Sequence, residues 1–169
     1  MSTFRITTPA DFVLARDVCS YGYFLLEPNH WDPAGMVFRT TMDLGGKAVT
    51  VRVTQGKGEE RKHTYSSLKR LGGVPLVVRA DCSLDAAEKK GVRGAIARML
   101  NLDESRERIG EFHRLDKRFK RSGRGRLMRS PTLFEDVLKT VTSCNVQWPS
   151  TIIMNRRLCE VVGDRKSVV

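Results

Sequence analysis

Arg114, Lys117, Arg118, Lys120, Arg121, Arg124, Arg126 and Arg129 place eight cations in sixteen residues, against the single acid Asp116. Guanidinium groups at that density hold phosphate oxygens well, through charge and through paired N–H donors. Ser122-Gly123-Arg124-Gly125-Arg126 lies inside the run, and its glycines let backbone amides approach a phosphate chain closely. The same run also reads as a solvated linker. The whole chain shares the bias, with 30 Lys plus Arg against 19 Asp plus Glu, a formal charge of +11. A polyanionic partner is expected, nucleic acid first, although ribosomal association or an anionic membrane surface suits the charge equally.

Other reactive side chains are dispersed. Four cysteines, Cys19, Cys82, Cys144 and Cys159, form no C-x-x-C pair, and His30, His63 and His113 share no ligand spacing with them. Neither a metal nor another cofactor is expected. The thiols read as small buried groups in a reducing compartment and not as a disulfide framework. No apolar run approaches the roughly 20 residues of a membrane span. Phe12 to Val18 is short and is broken by Arg16 and Asp17, so neither membrane insertion nor secretion is expected. With 169 residues and 40% hydrophobic content, the chain suits one domain, or one domain and part of another, around a real core.

The elements that must position the basic run divide near Ser83. Before it, the pattern is mixed. Pro9-Ala10-Asp11 opens a helical segment through Cys19, and Glu27 to Pro33 is turn-rich. Met36 to Met42 and Lys47 to Thr54 read as strands, with Val49, Val51 and Val53 alternating against Thr50, Arg52 and Thr54. Asp43-Leu44-Gly45-Gly46 supplies their hairpin. Thr64 to Leu68 and Val74 to Arg79 predict two more strands, separated by Leu71-Gly72-Gly73.

From Ser83 onward the pattern is helical. Ser83 or Asp85 caps a helix to about Leu100, and a second helix runs from about Glu104 to Phe112. After the basic segment, helix restarts either with Ser130 as cap and Pro131 at the first position, or with a Thr132-x-x-Glu135 capping box. Leu133, Phe134, Val137, Leu138 and Val141 form its apolar stripe. Ser150 is expected to cap a last helix carrying Met154, Leu158, Val161 and Val162 on one face and stopping at Gly163. These two helices are expected to form an antiparallel pair.

Two segments together resemble one family. Ala15-Arg16-Asp17-Val18-Cys19-Ser20-Tyr21-Gly22-Tyr23-Phe24, with Pro28-Asn29-His30-Trp31-Asp32-Pro33, resembles the amino-terminal domain of 8-oxoguanine and 3-methyladenine type DNA glycosylases of the helix-hairpin-helix superfamily. Arg129 to Leu138, ending in Ser143-Cys144-Asn145-Val146-Gln147-Trp148, is similar to the start of their helical domain. The resemblance implies an α+β fold. An antiparallel sheet domain with helices, TATA-binding-protein-like, would occupy residues 1–100, followed by the first helices of an all-α domain over 101–163. It also implies excision of a damaged base from duplex DNA, after the nucleotide is flipped out of the stack. Asn145 then fills the vacated space, Gln147 and Trp148 stand beside it, and Arg124, Arg126 and Arg129 hold the backbone. Trp148 either stacks or packs.

The family also needs a Leu-Pro-Gly-Val-Gly-like hairpin loop and a later catalytic Asp, joined in some members by a hairpin Lys. These are absent, so no catalytic residue is expected in this chain, which reads as the front half of an enzyme and as inactive alone. Residues 164–169, Asp-Arg-Lys-Ser-Val-Val, equal the translation of a common sequencing-library adapter read as GAT CGG AAG AGC GTC GTG and are expected to be adapter-derived. The helix-pair stripe is accordingly expected to lie uncovered. Damaged double-stranded DNA is the expected partner, with no obligate protein partner. The expected location is the nucleoid of a bacterial cytoplasm, or a eukaryotic nucleus. The alternative is a non-catalytic basic nucleic-acid-binding protein. A ribosome-associated structural protein fits less well, because it would not be expected to carry the apolar Leu133 to Val162 helices.

Overall fold

The computed structural model describes residues 1–56 and 73–162. The expected strand at Thr64 to Leu68, the Leu71-Gly72 pair, the Gly163 stop and the 164–169 tail lie outside the described residues. Five strands, β1 (Ser2–Ile6), β2 (His30–Asp32), β3 (Val37–Asp43), β4 (Ala48–Gln55) and β5 (Leu76–Ala80), form one antiparallel sheet in the order β1-β5-β4-β3-β2. The β3–β4 hairpin closes as its sequence predicts. Asp43 Oδ1 accepts the Gly46 amide at 2.6 Å, and Gly45 and Gly46 take positive φ values of 73° and 91°.

Two strands were not expected. β1 buries Ser2, Phe4 and Ile6 and exposes Thr3 and Arg5, a period-2 signal only five residues long. β2 sits inside the turn-rich segment, where Trp31 opposite Phe38 is enough to pair three residues with β3. At β2 tertiary pairing won over local turn composition.

One side of the sheet carries the core. Phe4, Met42, Val49, Val51, Val53 and Val78 pack with Phe12, Leu14 and Val18 around α1 (Leu14–Val18), and with Val92, Ile96 and Met99 of α2 (Ala86–Met99). The helical segment expected from Pro9 to Cys19 is regular only over these five residues of α1. At α2 the choice of cap resolves to Asp85, which forms a capping box with Glu88. Gly91 and Gly94 lie on its exposed side, where they leave the packing intact. The cysteines are not the buried groups expected: Cys144 is exposed and the other three are partly buried, all free.

Four helices follow: α3 (Arg106–Leu115), α4 (Lys117–Ser122), α5 (Leu133–Val141) and α6 (Trp148–Val162). Ser105, Asp116 and Thr132 cap the first three through their side chains. Thr132, not Ser130, therefore starts α5. The last helix begins earlier than expected, because the Gln147 carbonyl accepts the amides of Ser150 and Thr151 and Ser150 is already inside the first turn. Among the described residues no helix is long and apolar enough to cross a membrane.

Arg126 ties these parts together. Its side chain is 2% exposed and its Nη2 lies 3.0 Å from Asp11 Oδ2. Nη1 donates to the carbonyls of Asn101 at 2.7 Å and Glu104 at 3.1 Å. Its own carbonyl accepts the Ser20 hydroxyl. Replacing Arg126 with Met should destabilise the fold by about 3 kcal/mol, because it strands buried acceptors and a carboxylate; urea unfolding gives the value.

Nearby, Asp17 is buried, pairs with Arg16 at 2.8 Å and accepts the Val13 amide. Desolvation outweighs these partners and holds its carboxyl above the ordinary 3.8. Asp17 therefore contributes stability that is fully present below the unfolded-chain value and is lost as pH rises through the folded one. The stability advantage of the parent over Asp17→Asn should grow as pH falls from neutrality toward 4, as read by urea titrations at several pH values.

Candidate nucleic-acid interface

The basic run folds into three pieces with different fates. Phe119 stacks on Phe112 of α3 at 4.4 Å between ring centroids, which pins one side of α4. Lys117, Arg118, Lys120 and Arg121 are consequently exposed on the remainder of the helix. Arg118 pairs with Asp116 at 2.6 Å and draws that carboxyl below its ordinary range. Gly123 ends α4 at φ 70°, where a β-carbon would also stand 2.6 Å from an Arg16 guanidinium nitrogen.

An extended stretch then runs to Ser130, strictly alternating from Arg126 onward: Arg126, Met128 and Ser130 are buried, whereas Leu127 and Arg129 are exposed, as is Arg124 ahead of them. Arg126 therefore leaves the expected set of phosphate contacts, because its guanidinium is enclosed and bonded to Asp11 and two carbonyls. The alternation of Arg126, Met128 and Ser130 with their neighbours was the signal that could have shown this. Arg124 is placed by His113 Nε2, 2.6 Å from its carbonyl, and Arg129 by its amide bond of 2.9 Å to the Met99 carbonyl. Both side chains point to solvent.

Helix α5 is docked by its polar side. Asp136 binds Arg98 at 2.5 Å and accepts the Ser130 amide at 2.7 Å. Lys139, 3% exposed, donates to Ser130 Oγ at 3.0 Å and lies 5.7 Å above the Tyr23 ring. Burial pushes its ammonium pKa down and raises that of Glu135, 3.6 Å away. This polar dock was invisible to hydrophobic periodicity. The apolar stripe faces outward, with Leu133 71% and Phe134 70% exposed and Val137 and Val141 also uncovered.

The connection from α5 to α6 presents Asn145. It takes φ 55°, a left-handed conformation that asparagine tolerates better than most residues. Its exposed amide makes no hydrogen bond to a described residue. Thr142 braces the turn, its carbonyl accepting Thr151 Oγ1 at 3.2 Å and its hydroxyl accepting Asn155 Nδ2 at 2.8 Å. Gln147 is likewise exposed. Trp148 packs: a β-carbon on Gly22 would fall 2.4 Å from its indole, so the ring lies directly on that glycine.

Chemically, the surface offers exposed cations and, at the turn, the unengaged side-chain amide of Asn145. The two carboxyls raised by burial, Asp17 and Glu135, are occupied by Arg16 and Lys139. Among the described residues no group of three His, Cys, Asp or Glu side chains could hold a metal ion. Replacing Arg124 and Arg129 together with Ala should lower duplex affinity about tenfold and flatten the log K against log salt slope by about 2, with melting unchanged. Fluorescence anisotropy across a salt series measures both.

No family model matches the chain, and no curated protein matches it. Among solved structures its fold is similar to that of the 3-methyladenine DNA-glycosylase from Archaeoglobus fulgidus, with a TM-score of 0.67 at 19% identity. The match covers 95% of this chain and 51% of that one. The chain thus spans about half the length of that structure and shares the fold of a DNA glycosylase over nearly all of its own.

Proposed function

We propose that the chain is the leading half of a base-excision DNA glycosylase of the helix-hairpin-helix superfamily, with a TATA-binding-protein-like sheet domain in front. The observation that carries this reading is the fold likeness over 95% of the chain to a 3-methyladenine DNA-glycosylase. The exposed Asn145 turn and the basic segment support it independently. Lys117, Lys120, Arg121, Arg124 and Arg129 hold phosphates of damaged duplex DNA. Asn145 enters the stack where a flipped base has left, offering donors and an acceptor to the widowed partner, with Gln147 beside it. Trp148 keeps the turn at its angle.

Cleavage of the N-glycosidic bond needs a positioned carboxylate, to stabilise the sugar cation or activate water, inside a closed pocket. In this reading the carboxylate and the pocket belong to sequence outside these 169 residues, which packs on Leu133, Phe134 and Val137. The protein works where chromosomal DNA is, in a bacterial cytoplasm or a eukaryotic nucleus.

The test is base release from alkylated and oxidised duplexes under single-turnover conditions. The 169 residues alone should release none, and the product of an intact reading frame should release a damaged base. In that longer protein, Asn145→Ala should slow release about tenfold or more without lowering the melting temperature. An intact product that releases no damaged base from any lesion duplex would favour a non-catalytic DNA-binding protein.

A further inference from the structure

The stretch from Arg124 to Ser130 uses its backbone unevenly. The Arg124 carbonyl is held by His113 Nε2 at 2.6 Å, the Arg126 carbonyl by the Ser20 hydroxyl, and the Arg124 amide by Ser122 Oγ at 3.3 Å. The amides and carbonyls of Gly125 and Leu127 make no hydrogen bond to a described residue. Two donors and two acceptors are thus left over side by side, until the Arg129 amide meets the Met99 carbonyl at 2.9 Å.

Beside these groups, α3 and the stretch enclose a pit of about 160 Å3, lined by Glu104, Arg108, Ile109, Phe112, Gly125 and Leu127. Its floor is apolar. A β-carbon on Gly125 would stand 3.0 Å from Ile109 Cγ2 and 3.6 Å from Phe112 Cδ1, so glycine keeps that wall open. Leu127 supplies another wall and is 54% exposed. The pit has room for a single branched aliphatic side chain.

Cations frame it. Arg124 and Arg129 are exposed, stand about 17 Å apart along an extended chain, and enter no ion pair among the described residues. Arg108 is exposed too, with Glu104 held loosely at 3.7 Å.

We propose that this stretch and its pit receive an extended acidic segment of a partner protein, anchored by one apolar side chain. Backbone pairing sets the class of partner. A peptide strand offers acceptors to the Gly125 and Leu127 amides and donors to their carbonyls. A nucleic-acid backbone offers phosphate acceptors and would set them against two carbonyls. The anchor enters between Ile109, Phe112 and Leu127, and acids on either side of it meet Arg124 and Arg129. Those arginines then serve one ligand at a time, so partner and duplex compete for them.

The test titrates the 169-residue chain with the fluorescein-labelled peptide Asp-Glu-Asp-Leu-Glu-Asp-Glu and follows anisotropy. Replacing the peptide's leucine with glycine should weaken binding about tenfold, because the anchor's burial is lost. N-methylation of the peptide amides flanking the leucine should weaken it about as much, because donors are lost. Leu127→Gln, at an exposed position, should bring the leucine and glycine peptides to within about twofold of each other and leave the melting temperature unchanged. Equal affinity of the parent for the leucine and glycine peptides would overturn the proposal, since the surface would then be a plain polyanion contact. So would undiminished binding of the N-methylated peptide, or a leucine preference that Leu127→Gln leaves intact. A short oligothymidylate that binds tighter than the leucine peptide and depends on Leu127 in the same way would also overturn it, because the pit would then hold a nucleobase. Neither base release nor duplex DNA enters these readouts, so failure of the glycosylase reading leaves them intact.

Discussion

A single enclosed guanidinium organises the centre of the molecule. Arg126 reaches Asp11 ahead of α1, the carbonyls of Asn101 and Glu104 after α2, and through its own carbonyl the hydroxyl of Ser20. Three stretches distant in sequence thus converge on one planar cation. Its Nε has no hydrogen-bond partner among the described residues, so within them the network is not fully satisfied. Burying a charge is costly unless geometry returns most of the cost, which makes such a group a specifier of arrangement more than a source of stability. What it specifies here is the path of the stretch from Arg124 to Ser130. With Arg126 inward, Arg129, three residues on, has only the outside left to it.

The same logic inverts α5. An amphipathic helix ordinarily buries its apolar stripe. Here Lys139, Asp136 and Ser130 form the buried side, and Leu133 and Phe134 face solvent. Polar docking fixes a helix with high directional precision because each bond has a required angle. The apolar side is left free without loosening the helix, and the Asn145 turn inherits its placement from that dock.

Much of this was legible in the sequence where one local rule sufficed. Alternating valines marked β4 and Asp43 to Gly46 its hairpin, and each of two helix starts was narrowed to a pair of candidate caps, of which Asp85 and Thr132 are the ones used. The failures share a cause, since each depended on partners far along the chain. β1 needed β5, β2 needed Phe38, and the burial of Arg126 needed Asp11, 115 residues away. Charge counting treats every arginine as solvent-facing, whereas the fold withdraws one of them from the surface.

The contact between Gly22 and Trp148 has an optical consequence. Only a hydrogen at position 22 admits the indole, so the ring senses whether α6 sits against the sheet half. The chain has two tryptophans, and the other, Trp31, lies on β2 against the core. Emission from Trp148 therefore carries a signal separable by substitution of Trp31 with Phe. The side chain that packs on Gly22 is thus also an intrinsic reporter of that packing.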